Sequence, residues 1–147
     1  MAEDVTHVVQ QMYHALTKKD LDWFSERLDR NPDAVHIGAG YTESLSSDAM
    51  VQDLERFFGD MSMNLRPGKM TVDQRGDVAW VVDTAVVGFD DGSELTFRAT
   101  LVFVTHDGVW KLAHSHLSLP EEASADAARK VLAKDGGSSL AGDVSCA

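Results

Sequence analysis

The feature that most constrains this chain is a change of hydrophobic period near residue 61. Before it, apolar residues recur at helical spacing. After it, they fall in runs rich in β-branched and aromatic residues, cut by Gly-containing turns. Val5, Val8, Val9, Met12, Tyr13 and Leu16 form one helical stripe. Asp20 stands where a second helix would be capped, Leu21, Phe24 and Leu28 continue it, and Pro32 closes it. Asp33 to Gly40 reads as a short strand. A third helix starts near Ser46 or Ser47, with Met50, Leu54, Phe57 and Phe58 on its face. The later part gives a strand from Met61 to Asp73 broken at Pro67-Gly68, then Val78 to Phe89, Glu94 to Thr105 and Val109 to Leu119. Helices first and strands later mean α+β: an antiparallel sheet packed on three N-terminal helices.

At 147 residues the chain fits one domain. That domain is expected over residues 1–120. Residues 121–147 read as an extension: a short helix through Ala123, Ala127, Val131 and Leu132, then a disordered Gly- and Ser-rich tail from Asp135. A net charge of −11 argues against nucleic acid and anionic membrane as partners. No apolar run reaches membrane-spanning length, Met1-Ala2-Glu3-Asp4 does not open a signal peptide, and the single cysteine, Cys146, builds no disulfide. Together these point to the cytoplasm.

Turn lengths set strand register, and register sets faces. A two-residue Asp91-Gly92 turn puts Val82 opposite Leu101, Thr84 opposite Ala99 and Trp80 opposite Phe103. A three-residue loop, His106-Asp107-Gly108, puts Ala99 opposite Ser115 and Phe97 opposite Leu117. One face of the sheet is then apolar and faces the helices. The other gathers a polar network of Asp83, Arg98, Thr100, His114 and His116, with Val102, Val104, Trp110 and Leu112 nearby. A two-residue Asp107-Gly108 turn would instead swing both histidines onto the apolar side.

The run Trp110-Lys111-Leu112-Ala113-His114-Ser115-His116-Leu117-Ser118 resembles the closing strand of SnoaL-like domains of the nuclear-transport-factor-2-like superfamily. It is also similar to the association domain of calcium/calmodulin-dependent kinase. Gly76-Asp77-Val78-Ala79-Trp80 and Phe97-Arg98-Ala99-Thr100 resemble the two preceding strands, and Lys19-Asp20-Leu21-Asp22 the first helix pair. The resemblance implies a cone-shaped, strongly curved, barrel-like sheet around a pocket, in a homodimer. Phe24, His36, Tyr41 and Phe57 would line that pocket from the helices and first strand. Trp80, Val82, Thr84, Leu101, Ser115 and Leu117 would line it from the sheet.

The fold hosts many chemistries, so the site must be read residue by residue. Ketosteroid isomerases need a carboxylate base, a tyrosine and a sheet acid; the matching positions hold Gly38, Met12 (Tyr13 is one residue off) and Thr100 or Leu101. The pocket arginines of the kinase association domain match Val82, Leu101 and Leu117, so an acidic ligand is not implied. His114 and His116 could chelate a metal, but no downstream histidine completes a cupin-like set. No metal or cofactor is expected. His36, between Val35 and Ile37 and on the face of Gly38, is the candidate acid or base.

Three functions compete. The first is a homodimeric binder of a small apolar or neutral molecule. The second is a cyclase, isomerase or hydratase using His36. The third is an assembly module without ligand.

Overall fold

Asp4 caps the first helix, α1 (Val5–Lys18), its carboxylate accepting from the Thr6 N–H at 3.0 Å. The apolar stripe of α1 is buried: Val5, Val8, Val9, Met12 and Tyr13. Lys19 ends the helix in the left-handed conformation at φ 60°, and the Asp20 N–H returns to the Ala15 carbonyl at 2.8 Å. Asp20 then caps α2 (Leu21–Arg27) by accepting from the Trp23 N–H. Strand β1 (Val35–Ile37) and helix α3 (Ser47–Asp60) follow. Among the described residues five further strands follow: β2 (Met63–Arg66), β3 (Thr71–Arg75), β4 (Val78–Phe89), β5 (Glu94–His106) and β6 (Val109–Ser118). This computed structural model describes residues 3–38, 44–60 and 62–119. Tyr41, Cys146 and the 121–147 extension lie outside the described residues.

The six strands form one strongly curved sheet in the order β1-β6-β5-β4-β2, with β3 also paired to β4. The sheet is not closed into a barrel. It is mixed rather than wholly antiparallel, because β1 runs parallel to β6. The long connection from β1 to β6, through α3 and the rest of the sheet, permits that parallel pairing. Strands β2 and β3 share one edge of β4, and the break between them falls at Pro67-Gly68. A Cβ on Gly68 would stand 1.8 Å from the Thr84 carbonyl oxygen, so only glycine fits this crossing.

The β4–β5 and β5–β6 hairpins both differ from the turn lengths expected. The β4–β5 loop has three residues, Asp90-Asp91-Gly92. Gly92 alone takes a positive φ, 86°, and the Phe89 N–H bonds the Ser93 carbonyl. The extra residue slips β4 by one position, so Val81 faces Leu101 and Asp83 faces Ala99. Trp80, Val82 and Thr84 therefore stand on the outer face, and Asp83 points inward at 0% exposure. The β5–β6 turn has two residues, Asp107 at φ 53° and Gly108 at φ 80°, with His106 paired to Val109. That turn sends Trp110 and Leu112 into the core instead of the outer face. A bulge at Ala113 then reverses the parity of β6. His114 pairs Val102 and His116 pairs Thr100, so both histidines belong to the outer face.

The core lies between the helices and the inner face, built on Phe24, Leu28, Phe103, Trp110 and Leu112. Burying that apolar surface is the main stabilising term. Glu3 fixes the N-terminus to it. Its carboxylate accepts two bonds from Arg27, at 2.8 and 2.9 Å, and its backbone carbonyl accepts the Trp110 indole N–H at 2.8 Å. The Arg27 guanidinium holds the Glu3 carboxyl below its ordinary pKa.

Candidate ligand-binding site

The curved inner face and the three helices enclose a cavity of about 210 Å³. Helix α1 contributes Met12, Tyr13 and Leu16, α2 contributes Phe24, and α3 contributes Met50, Asp53, Leu54 and Phe57. The sheet contributes His36 from β1, Phe97, Ala99 and Leu101 from β5, and Leu112, Ser115 and Leu117 from β6. The wall is therefore mostly apolar with few polar side chains, the usual composition of a small-molecule site. Of the residues expected to line a pocket, the structure brings Phe24, His36, Phe57, Leu101, Ser115 and Leu117 together here. Trp80, Val82 and Thr84 are excluded by the one-residue slip of β4.

His36 is 2% exposed, while its neighbour Val35 faces out. Its Nδ1 lies 2.9 Å from Ser115 Oγ and its Nε2 lies 3.1 Å from Ser47 Oγ. The Ser47 hydroxyl donates to the Asp29 carbonyl, which only accepts. Ser47 has one proton, so its oxygen must accept from His36 Nε2–H. Nδ1 is then the unprotonated nitrogen, and Ser115 Oγ–H donates to it. The network thus assigns the tautomer. Burial, followed by repulsion from His114, pushes the His36 pKa down to about 4, so the ring is neutral at neutral pH. Both nitrogens are already bonded, which leaves no free base at this position.

A second polar pair is Tyr13 and Asp83. The Tyr13 hydroxyl donates to Asp83 Oδ2 at 2.8 Å, and the Gly68 N–H reaches Asp83 Oδ1 at 3.1 Å. Burial and the Asp83 carboxylate raise the Tyr13 pKa, so the phenol stays protonated. The register expected from the sequence puts Asp83 in the outer polar network, away from Tyr13; the one-residue slip of β4 turns it inward to this pair. The available signal was a lone carboxylate inside the apolar run Val81-Val82-Asp83-Thr84-Ala85-Val86-Val87. Such a group needs a buried partner.

The remaining members of the expected network, Arg98, Thr100, His114 and His116, stand on the outer face without Asp83. Arg98 donates to the Leu119 carbonyl at 3.3 Å. Among the described residues, no three His, Cys, Asp or Glu side chains are grouped as metal ligands. Nor is any helix among them long and apolar enough to cross a membrane.

Three helices on an open curved sheet, with a cavity between, define a domain like nuclear transport factor 2. Solved structures agree on the fold. An NTF2-like protein of unknown function from Pseudomonas putida KT2440 is 21% identical, with a TM-score of 0.72 over 82% of this chain and 89% of that one. The S. rosetta CaMKII hub is 25% identical, with a TM-score of 0.64 over 79% and 94%. A protein of Streptomyces avermitilis whose name provisionally calls it a dehydratase is 19% identical, with a TM-score of 0.65 over 78% and 96%. Within this class the chain belongs to the SnoaL-like domain family, whose model matches residues 5–122. No curated protein matches it.

Proposed function

We propose that this domain binds a small, neutral, largely apolar molecule in its inner cavity and does so as a homodimer in the cytoplasm. The observation that carries this reading is the cavity of about 210 Å³, apolar except for a few oriented polar groups. Burial would supply the affinity and those groups the orientation. Self-association follows from the outer sheet face, where Val78, Trp80 and Val82 are exposed beside the half-buried Val102 and Val104. The CaMKII hub among its structural relatives favours the same conclusion.

The experiment is a thermal shift with naphthalene as an apolar probe. It should raise the melting temperature of the wild type and not of Ala99→Phe, which fills the cavity. An unshifted wild type would sink the proposal. The dehydratase-type relative keeps a catalytic alternative in view. In the binding reading, His36 bonds Ser115 and Ser47 rather than the ligand, so His36→Ala should leave naphthalene binding detectable. Turnover that falls by orders of magnitude in this variant while binding persists would make the domain an enzyme.

A further inference from the structure

The direction of each hydrogen bond in the cavity wall limits what the wall can offer a ligand. Ser115 Oγ–H is committed to His36 Nδ1, because His36 Nε2–H is committed to Ser47 and Ser47 to the Asp29 carbonyl. Tyr13 Oη–H is committed to Asp83, whose carboxylate can only accept. His36 has no nitrogen left. Asp53, ion-paired with Arg56, carries a carboxylate that likewise only accepts. Ser115, Tyr13 and Asp53 all line the cavity. Among the described residues, the polar side chains of the wall therefore present oxygen lone pairs and no spare proton.

We propose that this cavity selects hydrogen-bond donors, its ligand being an apolar molecule with a hydroxyl or N–H that bonds Ser115 Oγ or Tyr13 Oη rather than one with a carbonyl or carboxylate. The inference rests on the binding function above and adds the ligand's chemical class. A carbonyl facing these oxygens would bury two acceptors against each other, and a carboxylate would add an uncompensated charge. Reversing the polarity would need a proton on His36, and both burial and His114 oppose that proton. The same network argues against Ser115 as a nucleophile. The far nitrogen of His36 meets a hydroxyl, so no carboxylate stabilises an imidazolium.

The test compares three bicyclic aromatic probes on the unmodified protein by calorimetric titration: naphthalene, 2-naphthol and 2-naphthaldehyde. 2-Naphthol should bind about fivefold tighter than naphthalene, the equivalent of one net hydrogen bond. 2-Naphthaldehyde, an acceptor of similar shape, should bind no tighter than naphthalene. Ser115→Ala leaves Tyr13 Oη and the uncovered His36 Nδ1 as acceptors, so naphthol should keep its rank over the aldehyde there too; the wild-type ranking decides the matter should that variant fold poorly. If the aldehyde outranks the naphthol, donor selection is wrong while the cavity remains a binding site. If none of the three binds, the underlying function fails and this inference falls with it.

Discussion

The two faces of the sheet are made from the same strands by alternate residues, yet they do opposite work. On β4, Ala79, Val81, Asp83, Ala85 and Val87 turn inward to the helices and are buried. Val78, Trp80 and Val82 turn outward and remain exposed, up to 48% at Val82. The inward residues of β4 are small or of medium size, and the Asp83 carboxylate among them is bonded to Tyr13 and the Gly68 N–H. The outward residues Val78, Trp80 and Val82 are apolar and include the largest side chain of the strand, edged by Arg75, whose guanidinium sits 5.7 Å from the centre of the Trp80 ring. Size alone does not reveal which face is the core. The larger side chains of β4 point away from it, because the helices must approach the inner face closely.

If that contrast is right, substitutions on the inner side must be severe and those on the outer side mild for the fold. Gly68→Ala should destabilise most, by at least about 4 kcal/mol, because its Cβ would overlap the Thr84 carbonyl beside Asp83. Gly59, in α3, has open space around its Cβ position. Gly59→Ala should therefore stabilise by about 0.5–1 kcal/mol, the usual helix preference. Urea denaturation of both variants checks the pair, and comparable losses in the two would remove the close crossing.

The second effect is a pH dependence from the inner face. His36 has its folded-state pKa lowered to about 4, below the ordinary value of about 6.5 for an unfolded histidine. The unfolded chain therefore takes up this proton first as pH falls. Stability should rise with pH between about 4 and 6.5 and be insensitive to His36 above that window. The full contribution is on the order of 3 kcal/mol. Unfolding free energies at pH 7 and 4.5 should differ less in His36→Gln than in the wild type. Parallel profiles would mean that His36 is not held neutral.

The smallest effect on the fold belongs to the outer face. Val82→Glu with Val102→Glu should change monomer stability by no more than about 0.5 kcal/mol, yet split the oligomer in light scattering. Leu112, which also reads as an outer-face residue from the sequence, is buried at 1% exposure and would test folding instead. A wild type that scatters as a monomer at every concentration would end the interface proposal.

The difference between the faces also explains which parts of the site were legible. His36 was placed by parity on a short strand, and the helical linings Phe24 and Phe57 by their stripes. These inferences use only the periodicity of one element. Trp80, Val82 and Thr84 were misplaced, since their orientation depends on whether the β4–β5 loop has two residues or three. Asp90-Asp91-Gly92 permits either length. The histidines of β6 reached the expected face by a different route: the turn was one residue shorter, and the bulge at Ala113 compensated.

By itself, the sequence determined the order of helices and strands, the SnoaL-like resemblance, and the burial of His36 between two apolar neighbours. Those properties follow from local period and turn chemistry, which act over a few residues. Tertiary structure alone decided that Tyr13 meets Asp83 across 70 positions, and that Ser115 and Ser47 fix the tautomer of His36. A buried proton goes to whichever acceptor packing brings within hydrogen-bond distance, and packing is settled by the register of strands far apart in the chain.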